Sequence, residues 1–291
     1  MMILDSLFSP LQYAFMTRGL LASLMVGIVC ASVGTYIVLR GMAFFGDALA
    51  HAILPGIAIG YLVGDGARGP LFWWGLIAAI FSAIGIGTIS RKTKIREDTA
   101  IGIVFASMFA LGIALISTVR NYSVDLAHFL FGDVLGVSNQ DLLLTGIFGG
   151  LVVIIVLAFY KEFLVLSFDP VLAETLRLPA LWLEYLLLIL IAVTIIVSLQ
   201  TVGVALMVAM LVTPSASAFL LTQRLPYMML VSAFIACLSG VIGLFISFYA
   251  GIASGAAIVL TSTALFLSAW FLRSLRSRYL TKLKNKDITP Q

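Results

Sequence analysis

The chain is divided into about nine apolar stretches, near residues 19–39, 42–63, 71–90, 99–119, 142–160, 183–200, 202–222, 227–249 and 252–272, separated by short charged or Gly/Pro-containing breaks. Each is close to the ~20 residues that a helix needs to cross the hydrocarbon core of a bilayer. Within that core every backbone N–H and C=O must be satisfied inside the protein, which restricts spanning segments to helices and closed barrels. Stretches of this length predict an all-α fold, a polytopic membrane helix bundle of about nine (8–10) transmembrane helices. With 62% of 291 residues hydrophobic and 10% charged, no segment remains for a soluble domain of even ~50 residues. The obligatory partner is the lipid bilayer, and no feature of the chain indicates nucleic acid.

The organisation follows from the same pattern. Residues 1–18, mixed apolar and polar with Pro10, read as an interfacial N-terminal segment, residues 19–272 as a transmembrane domain, and residues 273–291 as a basic tail. The first apolar block is too long for a signal peptide and lacks a basic n-region, so it is expected to remain in the mature protein. Cys30 and Cys237 both fall in apolar blocks without partner spacing, which indicates neither a disulfide framework nor a thiolate metal site.

The basic clusters at 91–96 and 273–286 are separated by an even number of spans, so both can face the cytoplasm. With the C-terminus inside, all of the 17 basic residues except Arg18, Arg68 and Arg120 fall on the cytoplasmic side. If the segment 42–63 re-entered instead of crossing, Arg18 and Arg40 would exchange sides with no change in the tally. Charge alone therefore leaves eight and nine spans open.

Within the second stretch lies GDALAHAILPG, Gly46 to Gly56. A charged side chain at the centre of a membrane helix costs ~2.5–3.5 kcal/mol on insertion scales, so intramembrane acids usually have a function. Asp47 and His51, at i and i+4, share one helix face and can converge on one cation or bond each other. Pro55 lacks an N–H and crowds the carbonyl four residues back, that of His51, so a kink is expected to free an oxygen beside the two side chains. Carboxylate, imidazole and carbonyl suit Mn2+, Zn2+ or Fe2+ better than Cu(I). The simpler alternative is a buried Asp–His bond joining two helices.

A second polar group lies between the fourth and fifth stretches on the outer side, with Asp125 and His128 spaced i, i+3 and Asp133 following. These three read either as an outer metal-capture site or as ordinary loop acids. Pro214 removes an amide from its helix as Pro55 does, here opposite the carbonyl of Met210, with Thr213, Ser215 and Ser217 beside it. It reads either as a gating kink near a cavity or as a kink satisfied by its neighbours.

On the cytoplasmic side, residues 161–182 form the longest connection apart from the tail. Asp169 is a good N-cap and Pro170 a good first helical residue, and Glu174 and Arg177 agree in sign with the helix dipole. Pro179 is expected to end this short amphipathic helix after Leu178. Such a helix can be gripped by a partner ATPase or can lie on lipid. The chain carries no G-x-x-x-x-G-K-[ST] phosphate loop, so ATP hydrolysis is assigned to another chain.

Five ordered segments then acquire a common meaning. LRGMAFFGDALAHAILPGIAIGYL (39–62), REDTAIGIVFASMFALGI (96–113), HFLFGDVLGVS (128–138), SFDPVLAETL (167–176) and MVAMLVTPSASAFLLT (207–222) resemble the membrane permeases of bacterial manganese/zinc/iron ABC importers. The most specific element is G-D-A-x-x-H-A-x-L-P-G, and the resemblance covers nearly the whole chain. It implies a non-enzymatic transport subunit of the bacterial inner membrane, dimerising with itself or with a homologous permease. It further implies cytoplasmic ATP-binding subunits that carry the ATP, and an extracytoplasmic metal-binding protein that delivers the ion. Asp47 and His51 would contact the metal, and Phe168, Asp169, Pro170 and Glu174 would belong to the helix docking on the ATPase. Pro179 departs from the pattern, since relatives often have a glycine-led turn there. No permanently bound cofactor is implied, as the metal is cargo. Two other classes remain to be weighed: an ion-coupled secondary transporter using the Asp/His pair as a proton relay, and an intramembrane enzyme, for which no catalytic pattern is present.

Overall fold

A computed structural model describes residues 9–64, 68–118 and 134–286, and no strand occurs among them. After a short 3-10 turn at Ser9–Gln12, helix α1 runs from Ala14 to Arg40. It ends because Gly41 takes the left-handed conformation, at φ 72°. That turn lets Met42 N–H reach the carbonyl of Ile37 at 3.0 Å, closing the helix end. The next apolar stretch is two helices, α2 (Phe45–Ala52) and α3 (Leu54–Gly64), interrupted at Ile53. The break falls where Pro55 withholds its amide from the carbonyl of His51, and the amide of Ile53 turns to that carbonyl instead.

Helix α4 (Arg68–Thr93) and helix α5 (Glu97–Ser117) are joined by a tight turn in which Lys94 adopts φ 56°. Ser90 Oγ braces the turn by donating to the carbonyl of Ile95 at 3.1 Å. Glu97 and Asp98 place two acids at the positive end of α5. Helix α6 (Asn139–Leu144) starts in a capping box: Ser138 Oγ accepts from the Asp141 amide, and the Asp141 carboxylate accepts from the Ser138 amide at 3.0 Å. A π turn at Thr145–Gly149 leads into α7 (Gly150–Ala158). Then follow α8 (Tyr160–Phe168), α9 (Pro170–Thr175), α10 (Ala180–Val202), α11 (Val204–Leu221), α12 (Leu225–Ala250) and α13 (Ser254–Lys286).

Counting α2 with α3 and α6 with α7, 9 helices among the described residues are long and apolar enough to cross a membrane. The expected spans are recovered, with displaced ends: α1 begins at Ala14, inside the segment expected to be interfacial, and α13 continues as helix through Lys286. The residues of the outer polar group, Asp125, His128 and Asp133, lie outside the described residues.

The packing decides between eight and nine spans. Phe44 lies against Phe105, His51 against Phe105 and Phe109, and Leu54 against Gly112, so α2 and α3 run alongside α5 in the same direction. Gly56 meets Trp74 and Gly60 meets Pro70, so α3 runs antiparallel to α4. The segment crosses, and Arg40 lies at the same end as the 91–96 turn. The chain path brings Lys161, Arg177, Arg224 and Arg273 to that end too, while Arg18 lies at the other. The arginine and lysine excess marks the Arg40 end as cytoplasmic.

Helix α1 is the centre of the bundle, and most of its spanning residues are buried. Small residues let its neighbours approach closely: Gly27 faces Ala236 of α12, Ser23 faces Gly240, and Gly34 sits against Leu211 and Ser215 of α11. Helix α5 lies at the edge, with most of its spanning residues unburied. Between α10 and α11 the whole connection is Gly203, whose φ 81° and ψ 169° are open only to glycine.

Candidate metal site

Asp47 and His51 occupy one face of α2, close to its junction with α3. His51 Nε2 is 3.7 Å from Asp47 Oδ1, near enough for an electrostatic contact and too long for a hydrogen bond. A direct Asp–His bond pinning two helices is therefore not what this conformation contains. The side chains are 41% exposed for Asp47 and 32% for His51. The imidazole nevertheless has a buried atom, Nδ1, without a hydrogen-bond partner among the described residues. Its ring is walled by Phe105 and Phe109 of α5, with centroids at 6.1 and 5.8 Å and both rings near edge-on. Phe105 and Phe109 stack on each other at 5.7 Å. Opposite this wall, Gly46 places the backbone of α2 against the Leu211 side chain of α11.

The depth of the pair follows from its neighbours. Phe105 and Phe109 stand two to three turns into α5 from its cytoplasmic start, so His51 lies near mid-membrane and Asp47 one turn closer to the cytoplasm. A carboxylate and an imidazole at this depth form a hard, partly dehydrated nitrogen/oxygen set suited to a divalent transition ion. Among the described residues no group of three or more His, Cys, Asp or Glu side chains gathers, so one chain offers two side-chain ligands here.

The other expected elements stand apart from this pair. Pro214 sits within α11, and the helix continues through it. Nearby hydroxyls are engaged locally: Ser217 Oγ donates to the carbonyl of Thr213 at 2.8 Å, and the hydroxyls of Ser215 and Ser232 are 2.9 Å apart. The helix is not broken at Pro214. Its helix is nonetheless the one that backs α2 through Leu211.

At the cytoplasmic end, Asp169 caps α9 as expected, its Oδ1 accepting from the amides of Val171 and Leu172 at 3.0 Å each. Pro170 is at the start of the helix. The helix does not run to Leu178 as Pro179 suggests; it ends at Thr175, and Arg177 takes the left-handed conformation at φ 56°. Leu178 N–H returns to the carbonyl of Ala173 at 3.0 Å, so an arginine performs the turn for which relatives were expected to have a glycine. Ala173 is buried, whereas Phe168, Val171, Leu172 and Leu176 expose an apolar surface to the cytoplasmic side. Glu174 leans toward Arg91 of α4, at 3.8 Å, and Arg91 also binds Glu184 of α10 at 2.9 Å. Replacing Asp169 with alanine is expected to cost α9 about 1 kcal/mol. Faster amide exchange at Val171 and Leu172 would report it.

Sequence reasoning overlooked Phe105, Phe109, Arg40 and Glu97. The i, i+4 spacing of the two phenylalanines was visible as one face of α5. Nothing in the sequence paired that face with His51.

Nine spans, an acid–imidazole pair inside one of them and a capped helix displayed on the cytoplasmic side define a polytopic transport permease. Residues 12–273 match the ABC 3 transport family, and the chain belongs to it. It is 41% identical over 282 residues to the manganese transport system membrane protein MntC of Halalkalibacterium halodurans, covering 96% of this chain and 95% of that protein. It is 39% identical over 274 residues to a probable iron transport system membrane protein of Haemophilus influenzae, covering 94% and 99%. Among solved structures it is similar to a chain of PsaBC from Streptococcus pneumoniae in complex with Fab, at 37% identity and a TM-score of 0.81, covering 97% and 99%.

Proposed function

We propose that this chain is the permease subunit of an ATP-driven importer that moves a divalent transition metal, Mn2+, Zn2+ or Fe2+, across the bacterial plasma membrane. Two permease chains form the path, cytoplasmic ATP-binding subunits hydrolyse ATP, and an extracytoplasmic metal-binding protein delivers the ion. The manganese and iron systems named for its relatives support the class of cargo.

The observation that carries the reading is the half-exposed Asp47 carboxylate inside a spanning segment, beside a helix, α5, that is mostly unburied. A carboxylate facing acyl chains is strongly disfavoured. A second copy placed on this face removes that cost and supplies its own Asp47 and His51, so two chains complete a ligand set that one leaves at two side chains. The imidazole nitrogens and carboxylate oxygens then replace part of the ion's hydration, and the flanking phenylalanines hold the rings without competing for the metal. The exposed Phe168, Val171, Leu172 and Leu176 give α9 an apolar surface for a cleft in the ATPase subunit.

The reading is tested by reconstituting the permease in liposomes with its ATPase subunit and delivery protein and following radioactive Mn2+. Uptake that requires ATP and is indifferent to a proton gradient is expected. Uptake driven by the gradient without ATP would sink it in favour of a secondary transporter.

A further inference from the structure

One charge at the cytoplasmic end of the bundle is only partly satisfied by the described residues around it. Arg40, the last residue of α1, has a side chain only 8% exposed, and its Nη1 is buried without a hydrogen-bond partner among the described residues. The carboxylate it faces is that of Glu97, with Oε1 4.0 Å from Nη1, beyond hydrogen-bond range. A buried guanidinium nitrogen left without a hydrogen bond is costly, and such an atom in a native fold calls for an account. The other ions nearby are engaged elsewhere: Arg91 with Glu184 at 2.9 Å and Glu174 at 3.8 Å, and Arg96 with Asp98 at 3.8 Å.

The position of the pair supplies that account. Arg40 closes the helix that turns through Gly41 into α2, which carries Asp47 and His51. Glu97 opens α5, whose Phe105 and Phe109 wall the His51 ring. The pair therefore ties, at the cytoplasmic rim, the end of α1 that leads into α2 to the start of α5, the helix that walls His51. Between rim and site, Phe44 and Phe105 meet edge to face with centroids 6.0 Å apart. From the site toward the rim, the order along α2 and α5 is therefore Asp47, the Phe44–Phe105 contact and then the Arg40–Glu97 pair.

We propose that Arg40 and Glu97 are the cytoplasmic latch of the metal path. Paired, they hold the end of α1, and through the Gly41 turn the start of α2, against the start of α5, so that the exit beside Phe44 and Phe105 stays closed. Apart, they free α2 from α5, return the guanidinium to water and leave the Glu97 carboxylate facing the departing ion. At 4.0 Å the latch is incompletely drawn; a movement of about 1 Å brings Nη1 to the distance of a charge-assisted hydrogen bond. The paired and released states of this one contact are the two positions of the latch, as alternating access requires of a gate.

The inference rests on the permease reading, and two measurements in the same proteoliposomes separate them. ATP-driven Mn2+ uptake by the wild-type complex tests the permease reading; Mn2+ leakage without ATP tests the latch. Glu97→Gln, nearly isosteric, and Arg40→Glu are each expected to raise the ATP-free flux about tenfold, in the usual range of coupling between two sites. The reversed pair, Arg40→Glu with Glu97→Arg, is expected to bring the leak back to within about threefold of wild type, since contacting residues are not additive. The yield of detergent-stable protein is compared for each variant, so that misfolding is not read as leakage. A leak in both single variants that the reversed pair reseals supports the latch. An unchanged ATP-free flux in both singles overturns it. Loss of uptake with no leak and no rescue also overturns it, leaving the pair a structural contact only.

Discussion

Asp47→Asn is expected to abolish metal uptake while leaving the bundle intact. Asparagine keeps the shape of the side chain and its place on α2, so the packing of Gly46 against Leu211 and of His51 against Phe105 and Phe109 is undisturbed. What disappears is the anionic oxygen opposite the imidazole, 3.7 Å from His51 Nε2. In a dimer the change occurs twice, so the site loses two negative charges facing a dication. Replacing residues that merely support a metal ligand costs 10–100-fold, so removing a charged ligand is expected to lower the rate of uptake by about 100-fold or more. Uptake of radioactive Mn2+ in proteoliposomes, beside ATP hydrolysis by the same complex, checks this. A variant that still hydrolyses ATP and no longer carries metal fits; one that transports at the wild-type rate removes Asp47 from the path.

The second large effect belongs to a residue with no chemistry. Gly34 lies where α1 crosses α11, and a Cβ added there would occupy the space of the Leu211 carbonyl oxygen, with Ser215 Oγ 2.7 Å away. The obstruction is backbone, which cannot swing aside as a flexible side chain would. Gly34→Ala must push the two helices apart at the centre of the bundle, where α1 and α11 are both well buried, and is expected to cost about 3 kcal/mol. Because Leu211 also backs Gly46 of α2, the displacement reaches the helix that carries Asp47 and His51. Thermal unfolding in detergent and the yield of membrane-inserted protein measure it. Gly102→Ala is the control, since nothing lies within 4 Å of a Cβ at that position, and it is expected to behave as wild type.

Much of this architecture is legible in the sequence because the bilayer imposes one rule on every span, and length and hydropathy express it directly. Asp47, His51 and Pro55 could be grouped from spacing alone, since one helical turn separates each from the next and the lost amide of Pro55 points to His51. The same rule left Pro214 open: the local loss of an amide is identical, yet here the helix continues through the proline, and spacing does not report which of the two a proline will do. The end of α9 was misplaced for a related reason, because the left-handed turn is made by Arg177 and no glycine marks it. Arg40 ends the first span and Glu97 opens the fourth, and only the packing of α2 beside α5 brings them together. Those spans were each identified correctly, yet their adjacency carries no sequence signal when a single chain is read.

The one-residue connection at Gly203 has a mechanical consequence. One residue reaches at most ~3.6 Å, so the outer ends of α10 and α11 have no slack between them. Helix α10 starts at Ala180, directly after the segment that carries α9, and its Glu184 is tethered to Arg91. A tilt of α10 driven from its cytoplasmic end therefore cannot be absorbed at the far side of the membrane; it is handed to α11, which returns inward past Leu211 to the back of α2. The pair behaves as a crank whose pivot is a glycine, carrying displacement out across the bilayer and back to the depth of Asp47.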